Sequence, residues 1–403
     1  MPTVLVTDAS RGSAIAFIRS LGRRGWRVVA ADHHARSAGF ASRYVDERVL
    51  LPGPGAAATE VAGALADAAT AHGVDLLVPV TDDTLLPVSE ARDQFPGRCR
   101  LAVPDQAALA SVTSKRATLD LARRLGVPAP RTAVVTTTEE AVRASEDLRW
   151  PVVLKPEASL TYDAGGAASE RFSVSYAGGP EELLRRMASL EGRTTVLLQE
   201  LCHGEGHGVE LLLHEGRPLA AFQHRRLHEV PITGGASALR ESVALDPVLY
   251  GHAVDVLGAL RWTGLAMVEF KVGPAGAFLM EVNGRIWGSL PLAVRAGMDF
   301  PARLAALLLD GPSPGPPDTG YEVGVRSRNM PLEVVWIGSV LRNVRRHPYL
   351  EAPRRRSAVA AAVRLPLPAD GYDVLSWDDP RPGLAELRSI VTNLGRKVRD
   401  AAA

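Results

Sequence analysis

Five short apolar runs, at residues 3–8, 26–31, 47–51, 75–80 and 100–103, alternate with helical patterns, notably 12–24 and 57–72. Runs of that length suit buried strands, and their alternation with helices predicts a doubly wound α/β sheet. The first unit, "VLVTDASRGSAIAFIRSLGRRGWRVVAAD" (4–32), has the outline of a nucleotide-binding βαβ and closes on Asp32, where a ribose would want an acid. A dinucleotide turn needs three glycines so that a pyrophosphate can approach the backbone. This turn offers Gly12 alone. A later strand end, "VPVTDDT", puts Thr81, Asp82 and Asp83 where ligands gather in open sheets, or where a helix needs an N-cap.

Beyond residue 110 the texture changes. Ser111 or Thr113 can cap a helix running to Leu125, and Gly126 can stop it. "PVVLKPEA" (151–158) and "TVLLQEL" (195–201) read as strands, with a glycine-containing loop at 159–172 between them. Two hairpins follow, one turning at Glu215-Gly216 and one at Gly273–Gly276. "HRRLHEVPITGGAS" (224–237) reads as a loop between a hairpin and a helix. "DGPSPGPPDTG" (310–320) reads as a linker, because proline and glycine block helix and strand alike. The tail is arginine-rich at 342–356 and helical at its end. An α+β body thus follows an α/β head.

At 403 residues the chain can hold two to four domains. A net charge of +1 gives no reason to expect nucleic acid or an anionic membrane as partner. Two cysteines exclude a disulfide framework or a cysteine metal cluster. No apolar stretch reaches the roughly 18 residues of a membrane span, and no cleavable leader opens the chain, so a cytoplasmic protein is expected.

Lys155 ends an apolar strand, and Gly165-Gly166 follow in a flexible segment. A cation beside free amides can cradle phosphate, or Lys155 is a surface lysine. The second hairpin is more specific. Glu269 and Glu281 lie inside apolar strands, and buried carboxylates need partners. On adjacent antiparallel strands they can share a face with Asn283, two residues after Glu281, and Arg285, two further on. Two carboxylates and an amide form an all-oxygen set suited to Mg²⁺, and Arg285 suggests an anion between itself and the metal. The alternative is a salt-bridge cluster.

The order of parts resembles the ATP-grasp superfamily, especially its carboxylate–amine and carboxylate–thiol ligases, with a carbamoyl-phosphate-synthase-like ATP-grasp domain. The matching pieces are Lys115 in "SKRATLDLARRLGVPAPRT", Lys155 in "PVVLKP", "LLQELCHGEGHGVE", "HRRLHEVPITGGASAL" and "VEFKV…FLMEVNGRIWGSLPLAVRAGMDFP", over about residues 1–310. The resemblance implies a Rossmann-like pre-ATP-grasp domain at 1–110 that does not bind NAD. It implies an ATP-grasp domain at 111–310, with a small lobe at 111–195 and a large lobe at 196–310, and a C-terminal extension at 311–403. Lys115 and Lys155 would hold ATP phosphates, aided by Gly165 and Gly166. The hinge Gln199–Cys202 would read adenine through the backbone of Glu200, Leu201 and Cys202. Glu210, Glu205 or His207 would bind the ribose. Glu269, Glu281 and Asn283 would be the ligands of Mg²⁺, with Mn²⁺ as the alternative. Arg285, beside Lys155, would act at an acyl phosphate. The usual "NPR" is here "NGR", so Gly284 changes the local backbone. Gly235 and Ser237 would lie over the reacting phosphate, and Arg226, favoured slightly over Arg225, would grip an acceptor carboxylate.

The activity implied is ATP-dependent ligation of a small-molecule carboxylate to an amine through an acyl phosphate. Alternatives are phosphorylation or condensation on a hydroxyl, enol or thiol, and a non-catalytic ATP-binding regulator. No nucleic-acid or membrane partner is implied, and a homodimer is compatible with the resemblance.

Overall fold

A computed structural model describes residues 1–157, 160–162, 168–171, 174–232, 234–342, 349–350, 352–365 and 370–402. Strands β1 (Thr3–Val6), β2 (Arg27–Asp32), β3 (Glu47–Leu50), β4 (Leu76–Val78) and β5 (Arg100–Leu101) form an all-parallel sheet ordered β3-β2-β1-β4-β5. Val4, Leu5 and Val6 are wholly buried, as strands covered on both faces require. Helices Gly12–Arg23 and Ala58–Ala71 connect successive strands, each within two residues of the sequence expectation.

A second sheet takes β6 (Thr132–Val135), β7 (Val152–Pro156), β10 (Ser175–Ala177) and β11 (Val196–Glu200) in the order β10-β7-β11-β6, all antiparallel. Strands β8 (Leu160–Tyr162) and β9 (Ala168–Arg171) pair separately, inside the stretch read as loop. Gly165 and Gly166 lie outside the described residues. Neither Ser111 nor Thr113 starts a helix. Asp105 caps the helix Gln106–Thr113, and Ser114 caps the helix Lys115–Arg124.

The third sheet is ordered β16-β15-β12-β13-β14-β17-β18, from β12 (Glu205–His214), β13 (Arg217–Val230), β14 (Ala236–Ser242), β15 (Gly264–Gly273), β16 (Gly276–Asn283), β17 (Arg326–Arg328) and β18 (Gly371–Tyr372). Both expected hairpins are present. Glu215 and Gly216 adopt φ of 47° and 82°, the left-handed pair that a two-residue hairpin turn requires. The segment 224–237 is not a loop before a helix. It is the far half of β13, a turn, and the start of β14. The sheet also takes strands from both sides of the proline-rich 310–320 stretch.

One core joins Val4, Phe17 and Val78 of the parallel sheet region to Phe222 and Met267 of the third sheet and to Trp287 after it. The chain's two ends also meet. Arg19 Nε lies 3.0 Å from Asp379 Oδ2, with the two side chains 7% and 0% exposed. Arg240 pairs with Asp373, and Arg328 lies between Asp370 and Glu333, all buried. Removing one partner of such a pair costs about 3–5 kcal/mol, so the tail is integral to this body. Among the described residues no helix is long and apolar enough to cross a membrane.

Candidate active site

The head's acids serve the backbone. Asp32, 2% exposed, accepts from Ser10 N, His34 N and Ser37 Oγ at 2.7, 2.9 and 3.0 Å. Its oxygens are taken by its own loop and by the turn after β1, in place of a ribose. Asp8 accepts from Thr81 N, Thr81 Oγ and Thr84 Oγ at 3.0, 2.9 and 2.7 Å and so ties two strand ends together. Thr81 stands at the N-cap of Asp82–Glu90 but spends its hydroxyl on Asp8.

The third sheet is different. Glu269 on β15 and Glu281 on β16 are direct cross-strand partners, so their side chains share a face. Asn283 Nδ2 donates to Glu269 Oε1 at 2.9 Å and Glu281 Oε1 at 3.5 Å. A half-turn of that amide exchanges the donor for its oxygen and gives three oxygens on one face. Burial pushes the Glu269 carboxyl above its usual range; Arg226 opposes the shift and Glu281 adds to it. Among the described residues no three His, Cys, Asp or Glu side chains gather into a metal site. Two carboxylates and an amide nevertheless fit Mg²⁺, which keeps several waters and completes its shell with substrate phosphates.

Lys155 on β7 faces this set from the second sheet. Burial lowers its pKa, the Glu281 charge opposes most strongly, and Lys115 adds to the lowering. Lys115, at the first turn of its helix, donates to the Glu157 carbonyl at 3.4 Å. Both lysines and both carboxylates therefore belong to one electrostatic neighbourhood. The hinge lies beside it. Glu200 ends β11, Leu201 N donates to the Pro151 carbonyl at 3.3 Å, and Cys202 is half-buried, its thiol pushed up to about 11 by burial against the pull of Lys155.

Other expectations are redistributed. Arg285 does not continue the face of Glu281 and Asn283, because β16 ends at Asn283 and the alternation ends with it. Its Nε donates to Asp82 at 3.1 Å. Arg226 and Arg225 point to opposite faces, as neighbours on a strand must. Arg226 pairs with Glu269 and Glu229 and donates to the Gly235 carbonyl at 3.1 Å. Arg225 pairs with Glu241 at 2.7 Å and Glu205 at 3.6 Å on the other side. Of the ribose candidates, Glu205 and His207 share the Arg225 face, away from the carboxylate pair. Glu210 is on the carboxylate face but wholly buried, with Ser289 Oγ donating to it at 2.9 Å. Gly206 and Gly208 explain the "GEGHG" run: a Cβ would meet Arg226 Cδ at 2.9 Å and His224 Cε1 at 2.4 Å. Ser237 is half-buried, its hydroxyl oxygen covered and unpartnered, and its carbonyl accepts from Arg240 at 3.1 Å.

Sequence reasoning reads His224, which lacks the rest of a zinc set, as structural or substrate-contacting, and misses Trp287, Ser289 and Arg240. His224 and Arg240 lie on the face that the period-two alternation from Glu269 marks, so that alternation was the available signal for them; Trp287 and Ser289 lie beyond the end of β16, where it gives none.

Residues 193–330 match a family described as ATP-grasp in the biosynthetic pathway with Ter operon. The chain is 28% identical over 237 residues to the carbamoyl phosphate synthase large chain of Thermomicrobium roseum, covering 57% of this chain and 21% of that one. It is 26% identical over 223 residues to the D-alanine–D-alanine ligase of Pseudomonas entomophila, covering 50% and 65%. Among solved structures, the biotin carboxylase domain of the Hydrogenobacter thermophilus 2-oxoglutarate carboxylase, in complex with MgADP, ADP and bicarbonate, aligns with a TM-score of 0.61 at 17% identity over 80% of this chain and 73% of that one. Together the family model and these relatives support the ATP-grasp superfamily for this chain. It spans about a fifth of the carbamoyl phosphate synthase it matches.

Proposed function

We propose that the protein is an ATP-dependent ligase that activates a small carboxylate as an acyl phosphate and joins it to an amine, releasing ADP and phosphate. The observation that carries the reading is the meeting of Lys115 and Lys155 with Glu269, Glu281 and Asn283 between two sheets. Residues 1–110 serve as a Rossmann-like head, 111–310 as the ATP-grasp unit and 311–403 as a C-terminal extension. Glu269, Glu281 and Asn283 hold Mg²⁺, which supplies charge neutralisation on the phosphates when bound. Lys115 and Lys155 hold the phosphate oxygens, and the 199–202 hinge seats the adenine. The substrate carboxylate attacks the γ-phosphorus, the bond to the β-phosphate oxygen breaks, and ADP leaves. The amine nitrogen then attacks the acyl carbon and phosphate departs. Positioning and electrostatics carry both steps, so no nucleophilic side chain is required.

The D-alanine–D-alanine ligase match supports amide formation, and the loss of a free ribose acid at Asp32 speaks against a dinucleotide. The test is a screen of small carboxylates with amines for phosphate release, with mass detection of the product. ATP and NAD are titrated in parallel. Product formation with ATP binding is the expected result; tight NAD binding without ATP binding would sink the assignment.

A further inference from the structure

Behind the carboxylate pair, one strand over, lies a cluster of buried polar side chains. Glu210 on β12 is the cross-strand partner of Met267, two residues from Glu269 and on its face. His224 on β13 and Glu210 are both 0% exposed, with Nδ1 3.0 Å from Oε1. Ser289, in the turn after β16, donates to Oε1 at 2.9 Å. Among the described residues, Glu210 Oε2, both ring nitrogens of His224, Trp287 Nε1, Ser237 Oγ and the Nε atoms of Arg226 and Arg240 have no hydrogen-bond partner. A folded protein rarely leaves so many buried polar atoms unsatisfied in one place. Arg226 connects this cluster to the carboxylate pair, since its guanidinium also holds Glu269.

We infer that Glu210, with His224 beside it, is the proton acceptor for the incoming amine. This rests on the carboxylate–amine reading. An amine arrives mostly as ammonium and cannot attack until it loses a proton. In the step assigned, the ammonium gives one proton to Glu210 Oε2. The freed lone pair attacks the acyl carbon, the C–N bond forms, and the C–O bond to phosphate breaks. Phosphate leaves with that electron pair and with the second nitrogen proton. Burial pushes Glu210 up to about 8, opposed by the Ser289 hydrogen bond, by the nearby Trp287 side chain and then by Arg240 and Arg226. That value suits a base near neutral pH, where proton affinity and availability balance. His224 is held neutral by burial, then by Arg226 and Arg240, with Glu229 opposing; His207 and Tyr321 also lie within electrostatic reach of the pair. A neutral imidazole next to the carboxyl is a second seat for the same proton.

The experiment compares two nucleophiles on one acyl phosphate. Hydroxylamine is mostly unprotonated at pH 7 and traps acyl phosphates as hydroxamates without a base. Ammonia is mostly protonated at that pH. A panel of α-amino acids and small dicarboxylates serves as carboxylate donors with ATP. In Glu210→Gln the ratio of ammonia product to hydroxamate should fall about a hundredfold at pH 7 and recover as pH rises. Ser289→Ala removes a hydrogen bond that favours the carboxylate, so it should move the pH profile of the ammonia reaction upward. Infrared difference spectra of the whole protein, without substrate, should show a protonated-carboxyl band, absent in Glu210→Gln, that titrates near pH 8. An unchanged product ratio, or a carboxylate already ionised from pH 5 upward, overturns the inference and leaves the ligase reading standing. No hydroxamate from any donor in the wild-type protein overturns the ligase reading, and the inference with it.

Discussion

Carboxylates occupy two places in this molecule, the strand ends of the parallel sheet and the face of the seven-stranded one. At the strand ends Asp8 and Asp32 are held by backbone amides and hydroxyls from the loops gathered there, a neighbouring strand's loop as well as their own. On the sheet face Glu269 and Glu281 oppose each other, burial shifts Glu269, and Glu210 keeps an oxygen without a partner. Both places look alike as sequence: an acid at or in an apolar strand. What separates them is who supplies the donors. An acid whose donors come from the loops at its own edge of the sheet ties those loops together. An acid that faces other acids, or faces nothing, is held in wait for something from outside.

Substitutions can break or sharpen that contrast. The largest effect is expected at Glu281→Gln, which keeps size but weakens the all-oxygen set. Turnover should fall about a hundredfold or more, with the unfolding midpoint nearly unchanged, as seen by paired ADP-release and thermal-melt measurements. Normal turnover at low Mg²⁺ would place Glu281 with the structural acids. Asp8→Ala should do the reverse. It should lose about 1.5–3 kcal/mol of stability in urea unfolding, because charged hydrogen bonds disappear and buried donors are orphaned, while ATP affinity holds. Gly208→Ala forces a methyl into the His224 ring and should cost about 1–3 kcal/mol, with the loss reduced when His224 is shortened in the same chain. The smallest effect is expected at Arg226→Gln. Arg226 and a divalent cation compete for Glu269, so half-maximal ATP binding should need about three- to tenfold less Mg²⁺ by calorimetry; a greater requirement would make Arg226 a phosphate ligand instead.

The sequence made the parallel sheet legible to within a few residues, because short buried strands and intervening helices leave strong periodic signals. The pairing of Glu269 with Glu281 was legible for a related reason: one tight hairpin fixes their register. What failed has physical causes as well. Pro231, Gly234 and Gly235 read as loop, yet they make the turn of a long hairpin whose β13 arm carries two register shifts. The Arg285 expectation extended an alternation past the strand's end at Asn283. Glu210 was read as a ribose candidate, and nothing local announces that Ser289 and Trp287, some 80 residues on, cover it. Strands of three and two residues, β17 and β18, carry too few side chains for a period to show.

The Arg19–Asp379 pair joins residues 360 positions apart. Its cation is synthesised 360 residues ahead of its anion. At ribosomal speeds that interval is roughly 20–70 s, during which the helix carrying Arg19 has no counter-ion to bury against. The head can assemble its sheet in that time but not its final surface. A nascent chain stalled before residue 379 should therefore present one open, cationic seam to whatever chaperone meets it, and release should coincide with the tail's arrival.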